Sequence, residues 1–240
     1  MIESRTLFVE RSEEIDLYFA FLEDIVDRKA EFLFPLRHDA APDATRTTKS
    51  ISLDLSHTLK ANGYLLLYNL VEATIVNAIE DIHRKIDSDT SIDADKLVQS
   101  LTERALKRFR ISNQGTFDTA GPVSLLLLRH WLDDHKAKVA NNHHPDFTAN
   151  IDARKIREVG EVYGFAITTD AAITKNGAQL LTVKTKRNEL AHGHIPFRDC
   201  GRDISLTSLS EIRREVIAYL DDVLMSVEGY ILGRKYRRSA

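Results

Sequence analysis

The chain has 240 residues, 43% of them hydrophobic and 29% charged, with a formal net charge of −3. That length supports a sizeable core, and that balance excludes a polycation that coats nucleic acid, so any RNA contact must come from a local basic patch. Ten glycines and five prolines leave little material for a many-turned β fold, and the single cysteine, Cys200, excludes an intrachain disulfide framework and a multi-cysteine zinc site.

The elements follow in chain order. Residues 12–34 carry apolar side chains at helical spacing (Ile15, Phe19, Leu22, Ile25, Val26, Phe32), with Ser12 as the expected cap. A loop over 35–49 follows, then a short stretch at 51–55 that alternates and reads as extended. From about residue 59 or 64 to residue 86 the sequence is apolar on almost every side, which predicts the central, most buried helix. Asp93 is placed to cap a helix to about residue 109, rich in Arg104, Lys107, Arg108 and Arg110. A glycine-containing loop spans 112–121, and Pro122 opens a helix to about residue 139. Asn141 to Pro145, which includes His143 and His144, reads as a solvated surface loop. Asp152 is placed to cap a short helix that reaches Tyr163 and ends at Gly164. Residues 179–191 form a further helix closed by Gly193 and Pro196. Ser208 and Glu211 make a capping-box pattern for a last helix running to Gly229 or beyond. The expectation is one all-α domain over 1–240, a bundle of about six or seven helices with only incidental strands and a basic tail from about residue 234.

The sharpest chemical signal lies in the helix over 179–191. Four residues separate Arg187 from His192, and Gly193 and His194 follow. Stepping at about 100° per residue puts Leu180, Val183, Arg187 and Leu190 on one stripe and Lys184, Asn188 and His192 on the next, with Thr182, Lys186 and Glu189 turned to water. Arg187 therefore falls within the apolar face. Its charge cannot be removed, so it needs a carboxylate, a phosphate or a chain interface. His192 stands at the helix end, where the dipole attracts positive charge, a setting that suits a general acid. One phosphate group can meet Arg187, Asn188 and His192 together. Lys184 is the nearest further phosphate contact, and His194 is placed to touch RNA.

Glu72 projects among Tyr68, Ile75, Val76 and Ile79 on the central helix. A carboxylate there either orients Arg187 or His192, with Asn69 on the adjacent stripe in the same network, or forms a core ion pair with another arginine. Neither His192 with His194 nor His143 with His144 comes with a convincing ligand set, so no metal and no cofactor are expected. The longest apolar runs, 64–67 and 123–128, are too short to span a bilayer, and Met1 to Arg5 carry no signal pattern. The expected setting is the cytoplasm, with no membrane partner.

The stretch from Arg187 to Gly193 resembles the defining motif of the HEPN superfamily (higher eukaryote and prokaryote nucleotide-binding domains): an arginine, a polar residue, a few more residues, then histidine. Tyr64-Leu65-Leu66-Leu67-Tyr68-Asn69-Leu70-Val71-Glu72, Asn150-Ile151-Asp152-Ala153-Arg154-Lys155-Ile156-Arg157 and Gly201-Arg202-Asp203 resemble the MAE-type HEPN-like nuclease branch. The resemblance implies a helical bundle that dimerises two-fold and a metal-independent endoribonuclease, with Arg187, Asn188 and His192 catalytic and a composite site between two chains. It also implies RNA as substrate and a toxin–antitoxin or phage-defence setting with a possible antitoxin protein as partner. A non-catalytic HEPN module that binds nucleotide or protein and dimerises is the alternative within the same family.

Overall fold

The computed structural model describes residues 2–29, 32–33, 49–112, 122–141, 144–147 and 150–238. Nine α-helices lie among the described residues: α1 (Glu3–Val26), α2 (Leu53–Asp87), α3 (Gln99–Ser112), α4 (Val123–Ala140), α5 (Ala153–Tyr163), α6 (Ala171–Thr174), α7 (Ala178–Ala191), α8 (Phe197–Arg202) and α9 (Leu206–Leu232). Two two-residue strands, Phe32–Leu33 and Lys49–Ser50, pair antiparallel. The fold is all-α. The two helices beyond the expected six or seven are the short α6 and α8, which lack the length to show a period in sequence. Of the expected loops, 35–49 apart from Lys49, 112–121 apart from Ser112, and His143 lie outside the described residues.

α2 organises the packing. It is 35 residues long, or about 50 Å, and it is covered by α1, α7, α8 and α9. Tyr64, Leu67, Tyr68, Leu70, Val71, Ile75, Ala78, Ile79, Ile82 and Ile86 are all buried along it. The helix starts earlier than its apolar run because Ser52 caps it, accepting from the Leu55 N–H at 3.1 Å. The stretch read as extended at 51–55 is therefore cap and first turn. α1 lies antiparallel to α2: the Ser4 N–H donates to Asp81 at 2.9 Å, and the Tyr18 hydroxyl donates to the Leu59 carbonyl at 2.5 Å. Ser12 is no cap but sits inside α1, because buried Ser4 and Phe8 carry the inward stripe two turns further upstream.

Later boundaries follow the same logic. Asp93 caps a single 3₁₀ turn, Ala94–Lys96, before α3 begins. Asp152 caps α5, accepting from the Lys155 N–H at 2.9 Å, and Gly164 ends it at φ 80°. α9 starts one turn before the capping-box pattern, with Ser205 accepting from the Ser208 N–H at 3.0 Å, because Leu206 and Leu209 are already core residues. The basic tail is not free. Tyr236 is buried, the Val98 N–H donates to its carbonyl at 2.9 Å, and Arg237 is paired with Asp89. Among the described residues no helix is long and apolar enough to cross a membrane. Among the described residues the buried apolar side chains, Ile25 apart, form one contiguous cluster.

α8 is only six residues long, yet it is pressed onto α2 backbone to backbone. A Cβ on Gly201 would stand 2.6 Å from the carbonyl carbon of His57 and overlap its oxygen. Lys60 reinforces the crossing by donating to the Ile204 carbonyl at 2.5 Å. Gly201→Ala must therefore push α8 off α2, at a cost of about 3 kcal/mol or more for an overpacked, unyielding contact. Urea denaturation should show a loss of unfolding free energy of that size as a lowered midpoint, and a wild-type midpoint would disprove the close crossing.

Candidate functional site

The motif helix α7 is built from the inside outward. Leu180, Val183 and Leu190 are buried against the core, as their stripe requires. Thr182, Lys186 and Glu189 are half-buried rather than turned to water, while Leu181 and Thr185 are exposed. α8 packs along that side of α7, and Lys186 and Glu189 pair there at 2.9 Å. α7 ends in a Schellman arrangement: the Gly193 N–H donates to Leu190 O at 3.2 Å and the His194 N–H to Glu189 O at 2.8 Å, with Gly193 at φ 69°. This turn releases His192 and His194 into solvent with their rings 5.8 Å apart. His192 is thus a helix C-cap through its backbone and an exposed imidazole through its side chain.

Arg187 is half-buried, and its guanidinium lies over the ring of Tyr68, 4.6 Å from the centroid. It donates to the side-chain oxygen of Asn188 at 3.0 Å. The Asn188 amide in turn donates to the side-chain oxygen of Asn150 at 2.8 Å. Among the described residues no carboxylate pairs with Arg187. Tyr68 is fully buried on α2, and its hydroxyl accepts from the Ile151 N–H at 3.1 Å. Burial pushes that phenol up from its ordinary value; the Ile151 N–H opposes the rise, Glu72 adds to it and Arg187 opposes it, so the ring under Arg187 stays neutral. Three segments therefore meet: α2 through Tyr68, the turn before α5 through Asn150 and Ile151, and α7 through Arg187 and Asn188.

The other expected residues are placed differently. Lys184 is paired with Asp152, the same carboxylate that caps α5, so its charge is already neutralised within the chain. Glu72 is half-buried and Asn69 exposed. No hydrogen bond or ion pair links Glu72 to Arg187 or His192, and it forms no core ion pair with an arginine among the described residues. Glu72 and Asn69 instead line an open cleft of about 730 Å³ between α1, α2 and α4, together with Arg11, Glu14 and Asn77. The basic cluster of α3 is partly consumed as well: Arg104 is paired with Asp146 and lies over Tyr163, while Lys107 and Arg110 remain exposed. Trp131 and Tyr163 are core residues, 2% and 0% exposed. His144 is not part of a solvated turn, because it packs against His135 and Phe147 and its side chain is nearly buried.

Tyr68 and Asn150 belong to the arrangement and were not picked out as site residues in the sequence. Both fall within stretches that carry the family resemblance, which was the one signal that pointed at them. An all-α fold with an arginine and a histidine flanking the last turn of a core helix defines a HEPN-type domain. The chain belongs to the MAE_28990-like HEPN family, whose model matches residues 3–236. No curated protein and no solved structure matches the chain with significance.

The Lys184–Asp152 pair offers a direct check on this geometry. Burial opposes ionisation of Asp152, but Lys184 and the Lys155 N–H outweigh it and hold the carboxyl below its ordinary 3.8. A folded-state pKa below the unfolded one gives stability that is present above the unfolded value and lost as pH falls through the folded value. Lys184→Met should thus cost about 2 kcal/mol at neutral pH, less than the ~3–5 kcal/mol of a fully buried pair because Lys184 keeps some water contact. The gap to wild type should close as the pH falls below 3.8. Thermal unfolding from pH 7 to pH 3 measures it, and a gap that does not change with pH would contradict the pairing.

Proposed function

We propose that this chain is a metal-independent endoribonuclease whose active site is composite, assembled from two copies of the Arg187, Asn188 and His192 set across a two-fold axis. The observation that carries the proposal is the state of Arg187. It is held by an aromatic ring and an amide, neither of which cancels its charge, and an exposed imidazole follows five residues on, just past the end of the same helix. A guanidinium in that condition is a phosphate receptor with its donors fixed in direction.

The chemistry follows from the side chains. One His192 removes the proton from an RNA 2′-hydroxyl, and the resulting oxygen attacks the adjacent phosphorus. The His192 of the second copy gives its proton to the departing 5′-oxygen. The products are a 2′,3′-cyclic phosphate and a 5′-hydroxyl, with protons balanced between the two imidazoles. Arg187 stabilises the charge that builds on the phosphoryl oxygens. Asn188 orients Arg187, since its oxygen accepts from the guanidinium and its nitrogen is committed to Asn150. His194 is the further RNA contact, exposed beside His192. DNA lacks the attacking hydroxyl and is not a substrate. On this reading the enzyme acts as a toxin–antitoxin or phage-defence effector, with an antitoxin protein as its regulator.

The two-fold contact has a candidate surface. Leu181 is 55% exposed, and at about 100° per residue it shares the stripe of Asn188 and His192. A second copy facing this stripe across a two-fold axis would cover Leu181.

His192→Ala should lower RNA cleavage by about 10²–10⁴-fold, the usual worth of a general acid or base, while EDTA leaves the wild type unaffected. Cleavage of an all-deoxy strand, or full activity of His192→Ala, would sink the scheme. Asn150→Ala should lower kcat by about 10-fold or more with KM nearly unchanged, since a misaimed guanidinium loses transition-state contact rather than ground-state binding. An unchanged kcat would remove Asn150 from the site. Leu181→Glu should give monomers by light scattering and lose cleavage together with the dimer, whereas active monomers would refute the composite site. Induced expression of wild type against His192→Ala, with growth and RNA integrity followed together, tests the effector role.

A further inference from the structure

A second cluster of side chains lies away from the motif and takes no part in the nuclease scheme. Glu80 projects from α2, His135 from α4 and His144 from the connection between α4 and α5. The Nε2 of His135 lies 2.5 Å from Oε1 of Glu80, and the Nε2 of His144 lies 3.3 Å from the same oxygen. One ligand-capable atom from each residue falls within 4.8 Å of the other two. His135 is 2% exposed, and the side chain of His144 is 9% exposed. The Nε2 of His144 is buried without a hydrogen bond, for its approach to Glu80 is close but poorly aligned. The Nδ1 atoms of His57 and His83 and the Nε2 of His130 are left likewise, but among the described residues His144 alone of these belongs to a cluster of three converging metal-binding donors.

We propose that Glu80, His135 and His144 form a site for a divalent transition-metal ion of the zinc class, with a water as its fourth ligand. The donor set of two imidazoles and one carboxylate is one that zinc accepts, with a water in the remaining position. At metal–ligand distances of about 2.0–2.2 Å, donors of a tetrahedral site lie about 3.3 Å apart. His144 and Glu80 already stand at that separation; Glu80 must draw back from His135 by about 0.8 Å, and the two imidazole nitrogens, which lie within 4.8 Å of each other, must close on the ion together. His144 must present a lone pair at Nε2. Its Nδ1 therefore gains the proton and gives up the 3.2 Å hydrogen bond it accepts from the Asp146 N–H. His83 stacks on His135 at 3.5 Å and 11°, which fixes the orientation of that ring. Trp131 packs against His83, and Phe147 packs against His144. Such an ion would tie the connection after α4 to both α2 and α4.

The site is separate from the nuclease reading, since Glu80 lies twelve residues beyond Tyr68 on α2, about 18 Å along the helix. The two therefore stand or fall independently. The test uses the full chain, stripped with a chelator and titrated with Co²⁺. Expected are the visible absorption bands of four-coordinate Co²⁺, saturation at one ion per chain, and displacement by Zn²⁺. His144→Ala and Glu80→Gln, each checked by circular dichroism to be folded, should weaken the affinity by at least the ~10–100-fold seen when a metal loses supporting contacts. A double variant, His192→Ala with His194→Ala, should bind as the wild type does. The proposal fails if the wild type gives no such bands, if His144→Ala and Glu80→Gln bind as wild type, or if binding is lost instead with the His192/His194 variant. In the first case the cluster is a hydrogen-bonded clamp of one carboxylate between two imidazoles and nothing more.

Discussion

A permanently charged group on the apolar stripe of a core helix is the constraint from which the site follows. Arg187 cannot shed its proton, and burying it bare would cost more than the fold can spare. Elsewhere this chain meets the same problem with carboxylates: Arg5 with Asp221 and Glu228, Arg104 with Asp146, Lys184 with Asp152, Arg237 with Asp89. For Arg187 it uses the face of Tyr68 and the oxygen of Asn188 instead. The difference is chemical. A carboxylate cancels the charge and fills the donors, whereas an aromatic face and an amide hold the guanidinium in place and leave its positive charge for an anion.

That solution obliges the surrounding elements to cooperate. Tyr68 must be buried for its ring to lie under Arg187, and its hydroxyl then needs a partner, which the Ile151 N–H supplies. This bond fixes the turn ahead of α5, and the same turn carries Asn150, the partner of Asn188. Asp152, one residue beyond Ile151, caps α5 and pairs with Lys184 on α7. The turn at 150–152 is thus stitched to α2 at one point and to α7 at two. The cations that sequence spacing offers as phosphate contacts divide accordingly, with Lys184 drawn into the frame and Arg187 left poised on it.

What could be read in the sequence was what local pattern determines. The stripe of Leu180, Val183 and Leu190, the cap at Asp152 with its stop at Gly164, and the all-round apolarity of α2 depend on neighbours within a turn or two, so spacing alone exposes them. Boundaries slipped where two local signals competed. Ser205 won over Ser208 because burial of Leu206 and Leu209 decided which serine stands outside the helix. The site's framework was hidden for a different reason. Asn150 and Asn188 are 38 residues apart and meet only because α5 and α7 pack together. Glu80, His135 and His144 come from three separate segments. Beside a proline, His144 reads as a turn residue, and only the rings of His135 and Phe147 draw it inward.

The end of α7 completes the arrangement. In the proposed scheme each imidazole must reach one oxygen of a ribose-phosphate, and a ring locked in the core could not adjust to it. Here the backbone is rigid and the side chain is free. The Schellman turn pins Leu190, Gly193 and His194 through hydrogen bonds, so the Cα of His192 is fixed relative to Arg187. Its ring, in turn, has solvent on every side that the turn leaves open. Placing the histidine one residue past the last helical turn keeps it exposed at the end of the helix that carries the arginine. The proposed in-line transesterification needs a base on one side of the phosphorus and an acid on the other, which a second copy facing the first across the stripe of Leu181, Asn188 and His192 would supply from one motif.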